Sequence, residues 1–268
     1  MARLLFGVTL LLAALWFTVV LPTTAAQASQ CVAYVEQRPA VVPVAYTEIQ
    51  SAGTVEVTYV THSTFRLQTP AGVVIATDYA GYAGAGPVPT VVTMNHAHGT
   101  HYTDFPDPAI EHVLRGWNPE GGAADHKLTV GDVYIRNVST DIRSWGGGVE
   151  RFGNSIFIFE VADLCIGHLG HLHHKPTAEQ LALIGRLDVV FAPVDGSHTL
   201  DLPSMIEVLQ DLRASLVIPM HYFGSRSLNI FLAGMAGDFD IRVSQTPTVE
   251  ISLRGLPRQP TVLVLAGG

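Results

Sequence analysis

Three short apolar runs in this chain break directly into histidine. Residues 91–94 (Val-Val-Thr-Met) lead to Asn95-His96-Ala97-His98-Gly99-Thr100-His101. Residues 164–167 lead to His168-Leu169-Gly170-His171-Leu172-His173-His174, and 217–220 end on His221. A β-rich apolar run of this length, bounded by turn residues, is the pattern of a buried strand. Polar side chains at the end of such a strand stand where layered α/β proteins place ligands. The chain therefore needs a sheet whose strand ends meet, and the histidines are what they would bring together. Seven of the 12 histidines lie in the first two segments.

Imidazole is a standard ligand for zinc, copper, iron and nickel. On an extended strand, residues i and i+2 share a face, so His96 and His98 can converge, with His101 following a turn at Gly99. Three histidines within six residues at a strand end point to metal binding rather than to a solvated loop. In the second segment His171 is the leading candidate, joined by His168 or His174, and His173 is expected at the surface or beside the ligands. His221 gains its weight by repeating the same arrangement.

Composition narrows the rest. The chain has 268 residues, is 48% hydrophobic and only 14% charged, and carries 15 Lys+Arg against 23 Asp+Glu. A disordered chain has the opposite balance. An acidic chain without a basic run has no means of neutralising a phosphate backbone, which excludes a nucleic-acid partner. The N-terminus reads as a secretion signal: Arg3, an uncharged apolar run over 4–21, a break at Pro22, and Ala26-Gln27-Ala28 as a cleavage site. Residues 1–28 are accordingly expected to be removed. An uncleaved membrane anchor is the alternative, because 18 apolar residues can span a bilayer. Residues 29–53 form a lead-in, and 54–268 form one domain in the periplasm or outside the cell. No later stretch has the length or apolarity of a membrane span. Export makes a disulfide between Cys31 and Cys165 possible, but Cys165 lies in an apolar run and reads first as a free buried cysteine.

Strands are expected over 55–60, 64–68, 73–78, 90–94, 133–138 and 155–161. After residue 164 strands alternate with helices: strands at 164–167, 188–193 and 215–219, helices at 177–186, 203–212 and 227–235, and closing strands at 239–244 and 248–253. This is an α+β domain.

These segments, together with Val57-Thr58-Tyr59-Val60-Thr61-His62-Ser63-Thr64-Phe65 and Ile75-Ala76-Thr77-Asp78, resemble the metallo-β-lactamase superfamily. The likeness runs over about residues 54–253. It is greatest to the ascorbate-6-phosphate lactonase-like, Zn-dependent hydrolase branch. The resemblance implies a four-layer αββα sandwich with one or two zinc ions, or another divalent transition metal, at the edge of its sheets. It also implies hydrolysis of a small ester, lactone or phosphorylated compound by metal-activated water. The family's H-x-H-x-D-H motif reads His96-Ala97-His98-Gly99-Thr100-His101 here, with Thr100 in the aspartate position. A further metal histidine of the family falls near Thr140, beside Asp141, and its bridging aspartate falls on His171. His96, His98, His101, His171 and His221 are therefore the candidate ligands, with Asp141 and Asp104 the candidate proton-handling residues. Neutral imidazole has one free lone pair and does not bridge two cations, so one metal is expected. A family member that binds metal or ligand without hydrolysis is the alternative.

The remaining marked residues carry plainer expectations. His62 is expected to be a hydrogen-bonded structural histidine. Asn154 and Gly153 are turn formers, and Asp195-Gly196 is first a strand-end turn and second a carboxylate behind the ligands. Arg143, Arg151, Lys175 and Arg226 are solvated cations that could receive an anionic substrate. His112, His126 and His198 have no assigned role.

Overall fold

A computed structural model describes residues 29–32, 53–144 and 146–267. The signal segment and most of the lead-in lie outside the described residues. The chain first forms β1 (Val55–Thr61), β2 (Thr64–Gln68), β3 (Val74–Ala76), β4 (Val91–Met94) and β5 (His112–Arg115). A long antiparallel run follows, with β6 (Lys127–Val130), β7 (Val133–Arg143), β8 (Val149–Val161) and β9 (Leu164–His168). The alternating part then runs α1 (Ala178–Ile184), β10 (Val189–Pro193), α2 (Leu202–Leu212), β11 (Leu216–Met220) and α3 (Ser225–Met235). Strands β12 (Asp240–Val243), β13 (Thr248–Ile251) and β14 (Thr261–Val264) close it.

Two mixed sheets result, ordered β13-β1-β2-β3-β4-β5 and β12-β14-β11-β10-β9-β8-β7-β6. Their facing surfaces enclose a core that includes Val57, Phe65, Phe157, Phe159, Phe191 and Ile218. Phe65 and Phe191 stack with ring centroids 4.2 Å apart, one from each sheet. All three helices lay their apolar faces on the outside of the eight-stranded sheet, where Met205, Leu209 and Phe231 pack on Ile156, Ile158 and Val190. The outer face of the six-stranded sheet is covered by loop residues instead, with Tyr79, Ala83 and Ile110 against Val92 and Met94. The fold is an α+β sandwich of the expected type. Its outer layer on that side, among the described residues, is loop rather than helix.

Helices α1 and α2 keep close to their expected places because their start signals are local. Thr177 caps α1 in a reciprocal capping box with Gln180, and the Asp201 side chain accepts from the Ser204 N–H to cap α2. Strands β5, β6 and β14 carry no expectation from the sequence. Two of them, β5 and β6, are four-residue edge strands in which only Leu114 is buried, too short and too exposed to stand out from the loops around them.

The expectation for Cys165 is overturned. Cys165 is not free: it forms a disulfide with Cys31 across 134 residues of sequence. The short strap 29–32 runs beside β8 and β9 and is held at several points. Ser29 Oγ donates to Glu160 Oε1 at 2.5 Å and the Gln30 N–H donates to Glu160 Oε2 at 2.9 Å. The Arg186 N–H donates to the Cys31 carbonyl at 2.8 Å. Glu160 is buried and is also paired with Arg136 at 2.7 Å, so the strap's polar ends meet a compensated charge. A cavity of about 680 Å3 lies against this strap, lined by Ser29, Val32, Tyr134, Arg136 and Leu183 among others. None of the clustered histidines lines it. Among the described residues no helix is long and apolar enough to cross a membrane.

Candidate metal centre

The carboxyl ends of five parallel strands, β3 and β4 of one sheet and β9, β10 and β11 of the other, carry the polar residues of one site. Asp78 follows β3, His98 and His101 follow β4, His171 follows β9, Asp195 follows β10 and His221 follows β11. Four histidines, His98, His101, His171 and His221, have ligand nitrogens that all lie within 4.8 Å of one another. The closest approaches are His98 Nε2 to His171 Nε2 at 3.0 Å and His101 Nε2 to His221 Nε2 at 3.2 Å. His101, His171 and His221 are buried and His98 is half-buried.

Each ring is fixed through its other nitrogen. His101 Nδ1 lies 2.7 Å from Asp78 Oδ2 and 3.0 Å from Ser63 Oγ. His221 Nδ1 lies 3.1 Å from Asp195 Oδ1. His98 Nδ1 meets Thr100 Oγ1 at 2.8 Å, and His171 Nδ1 meets His173 Nε2 at 2.5 Å. A histidine that donates Nδ1–H to a carboxylate keeps its lone pair on Nε2, which is the usual outer support of a metal ligand. His101 and His221 thus turn two lone pairs toward each other, an arrangement that a shared cation stabilises. Four imidazole nitrogens placed tetrahedrally at zinc distances lie about 3.3 Å apart. The two closest contacts are near that spacing and all four nitrogens lie within 4.8 Å, so the donor set can hold a single divalent transition-metal ion. Thr100 supports His98 through the Oγ1–Nδ1 contact.

The carboxylates stand behind the ligands. Asp78 is fully buried; its Oδ1 accepts from Asn95 Nδ2 at 2.7 Å while Oδ2 takes the His101 proton. Burial alone would raise its pKa, but His168 and His101 nearby and the hydrogen bonds from His101 and Asn95 outweigh that and hold it at about 2. Asp195 is likewise held below the ordinary carboxylate range. Burial opposes its charge, while hydrogen bonds from His221, Thr199 and the Ser197 N–H favour it. Asp195 is therefore both a turn residue, bonded to Ser197, His198 and Thr199, and the support of His221. Asp78 was legible in the sequence only as part of a family segment.

The other candidates are placed differently. His96 is outside the group of four; its Nδ1 pairs with Glu150 Oε1 at 2.7 Å and its ring lies 4.9 Å from that of Trp117. Strand β4 ends at Met94, so the alternation that would align His96 with His98 no longer applies at those residues. His168 cannot serve as a ligand in this arrangement: Nε2 donates to the Ser63 carbonyl at 2.8 Å and Nδ1 accepts the Gly170 N–H at 3.1 Å. His174 is exposed. Asp141 accepts from the Phe152 N–H at 2.9 Å, and Asp104 is exposed in the loop after His101. Thr140 accepts from Asn154 Nδ2 at 2.8 Å, and Asn154 Oδ1 in turn accepts the His171 N–H at 2.7 Å. Arg143 is tied down rather than free in solvent, donating to the carbonyls of His173, Ser197, His198 and Thr199.

His62 occupies the turn between β1 and β2 with φ +49°. Its carbonyl accepts the His221 N–H at 2.8 Å, and its ring lies 4.0 Å from that of His221. The expected side-chain hydrogen bond is not made by Nε2, which is buried without a partner.

Gly170 shapes the turn that delivers His171. Its φ is +61°, and a Cβ there would strike the side chains of Asn154 and Asn95. Both asparagines hold parts of the site, so Gly170→Ala is expected to cost about 2 kcal/mol or more in folding, from left-handed strain and the clash. It is also expected to weaken ion binding at least tenfold. Denaturant unfolding and chelator competition would check the two effects, and an unchanged affinity would show that the turn does not set His171.

A pH dependence follows from the crowded imidazoles. In the ion-free protein burial lowers His62 to about 3, aided by His221 and His101, and lowers His98 to about 4, aided by the same two rings. Their unfolded values are about 6.5. The folded state therefore binds fewer protons than the unfolded state below pH about 6.5. The stability these neutral rings contribute is complete above that pH and is lost as pH falls toward about 4. The ion-free protein is expected to melt several degrees lower at pH about 5 than at about 7.5. Equal melting temperatures would contradict the crowding.

Residues 56–221 match the family model described as "Beta-lactamase superfamily domain". A Thermotoga maritima protein described as a Zn-dependent hydrolase of the metallo-β-lactamase superfamily is 25% identical, with a TM-score of 0.59, covering 79% of this chain and 98% of its own. A metallo hydrolase from Ignicoccus hospitalis is 21% identical, with a TM-score of 0.53, covering 74% of this chain and 99% of its own. A metal-dependent hydrolase from Parabacteroides distasonis is similar in fold, at 14% identity and a TM-score of 0.54, covering 68% of this chain and 88% of its own. No curated protein matches the chain. With a family match over more than half its length and the same two-sheet fold around a histidine cluster, the chain belongs to the β-lactamase superfamily of metallo-hydrolase fold.

Proposed function

We propose that the protein is an exported metal-dependent hydrolase acting on a small ester, lactone or phosphorylated compound. The observation that carries this is the convergence of four histidine Nε2 atoms backed by two buried carboxylates. A divalent cation held there, zinc on the family's pattern, supplies Lewis acidity to a carbonyl or phosphoryl oxygen and acidifies water. The chain's own residues do the rest. Asp78 and Asp195 orient His101 and His221. Arg143 lines a cavity of about 190 Å3 together with His98, Ser144, His171, His173 and His198, and brings positive charge to it. That volume is below the range of drug-sized ligand pockets and suits a small substrate. Asp141 and Asp104 remain the proposed proton-handling residues. The Cys31–Cys165 disulfide supports export, since such bonds persist in oxidising compartments.

A second reading, an exported metal-binding protein without hydrolysis, is favoured by the donor set itself. Four protein ligands are typical of closed structural sites, whereas catalytic sites keep one position open. One experiment separates the two. Purified protein loaded with zinc, cobalt or manganese is assayed against lactones, carboxylic esters and phosphoesters, with the His101→Ala variant as control. Turnover that the variant lacks supports the hydrolase. A stoichiometric ion with no turnover in any metal form would sink it in favour of the binding protein.

A further inference from the structure

One buried nitrogen beside the four histidines has no partner. His62 Nε2 is shielded from solvent and makes no hydrogen bond. A polar atom left in that state is costly and calls for a missing partner. Its position is built into the fold. The His62 carbonyl accepts both the His221 N–H and the Tyr59 hydroxyl, each at 2.8 Å. The backbone holds φ +49°, a conformation that residues other than glycine seldom adopt. The next residue, Ser63, brings its hydroxyl to 3.0 Å from His101 Nδ1. The turn between β1 and β2 is thus tied to two of the four histidines. Ring centroids of His221, His101 and His98 lie 4.0, 5.3 and 6.5 Å from that of His62. The ring therefore stands on the side of the group that those three share, without being one of the converging ligands.

The cover on that side is apolar. Phe223 follows His221 by two residues and is 63% exposed. Its ring lies 5.4 Å from that of His62, 5.5 Å from His221 and 5.7 Å from His198. His198 in turn lines the cavity of about 190 Å3. A single exposed aromatic is ordinary on a protein surface. One that packs on a histidine of the centre and on the lining of its cavity is placed to meet what enters. Arg143, the cation of that cavity, is already held by the carbonyls of His173 and residues 197–199. A phosphoryl group calls for charged, forked donors, whereas a carbonyl or carboxylate oxygen can be met by one imidazole nitrogen. We propose that His62 is a substrate-binding residue: Nε2 hydrogen-bonds the carbonyl or carboxylate oxygen of a carboxylic ester, lactone or acid product, and Phe223 covers its apolar group. This rests on the hydrolase reading above and narrows its substrate class to carboxylic compounds with an apolar group.

Zinc-loaded protein provides the test, with phenylacetate, acetate and inorganic phosphate as probes. Phenylacetate is expected to bind more tightly than phosphate and to shift the 15N resonance of His62 Nε2. An unmoved resonance, or phosphate bound as tightly, overturns the proposal. His62→Asn puts in a residue that tolerates the same turn but is too short to reach the same place. It is expected to keep its zinc and to bind phenylacetate at least about tenfold more weakly, as for a lost hydrogen bond to a charged group. Phe223→Ala, at an exposed position, is expected to weaken phenylacetate by about tenfold and acetate not at all, since only the apolar group meets the ring. Unchanged phenylacetate affinity in His62→Asn overturns the assignment of His62, and unchanged affinity in Phe223→Ala overturns the apolar cover. The hydrolase reading fails separately. Phenylacetate bound through His62 without turnover of any ester sinks catalysis and leaves this site standing. Ester turnover that is the same in His62→Asn leaves the hydrolase standing and sinks this site. A protein that takes up no zinc overturns both.

Discussion

His101→Ala is expected to leave the protein unable to retain an ion through dialysis, with affinity lowered more than about 100-fold. Changes to residues that only support ligands already cost about 10–100-fold, and His101 is itself one of four converging nitrogens. The same substitution has a second consequence, independent of any ion. Asp78 is fully buried and loses the ring that shares its charge, keeping only Asn95. Breaking a buried pair from one side costs about 3–5 kcal/mol, so the ion-free variant should unfold at clearly lower denaturant. His96→Ala is the counterpart. His96 Nδ1 lies on Glu150, at a half-exposed pair, and its removal is expected to change affinity less than about threefold, as weak exposed pairs do. Metal-to-protein ratios and chelator competition on both variants give the answer. If His96→Ala lost the ion and His101→Ala kept it, the four-histidine assignment would be wrong.

That contrast shows where sequence reasoning reached its limit. His98, His101, His171 and His221 could be named because each follows a buried strand, and the ends of such strands meet at the shared edge of the two sheets. His96 follows the same strand, yet its partners, Glu150 and the Gly153 carbonyl, come from a hairpin more than fifty residues away. Spacing along the chain holds no information about that hairpin. The protons behind the ligands were hidden for the same reason. Asp78 and Asn95 become partners only when β3 and β4 pair, and His173 becomes a support of His171 only because the Arg143 backbone approaches it from β7. Helices α1 and α2 were legible because caps and amphipathic spacing are local. The short edge strands β5 and β6 were not, since their pairing is decided by a neighbour. Metal identity and substrate fall further outside sequence, because both depend on distances of a few tenths of an ångström.

The largest effect on stability is expected from the bond that the sequence reading discounted. Cys165 sits in an apolar strand, and burial as a small hydrophobe accounts for it equally well when only the chain is seen. The partner is supplied by a strap 134 residues earlier that contributes little else to the core. Closing a loop of that length removes much of the unfolded chain's freedom, and on the chain-entropy model the bond contributes about 5 kcal/mol. That is comparable with the whole stability of many domains. The strap's other ties, to Glu160 and Arg186, are a few hydrogen bonds each worth about 1 kcal/mol net, so they cannot replace it. Cys31→Ser with Cys165→Ser is therefore expected to shift the denaturant midpoint sharply down without changing the sandwich. Ion binding by the folded fraction should weaken too, because Cys165 lies on β9, the strand that delivers His171. Addition of a reductant to the unmodified protein should reproduce both changes, whereas the double variant should be indifferent to it. A variant within about 1 kcal/mol of the parent would mean that the strap is held by its hydrogen bonds and by packing after all, and that the disulfide is incidental to the fold.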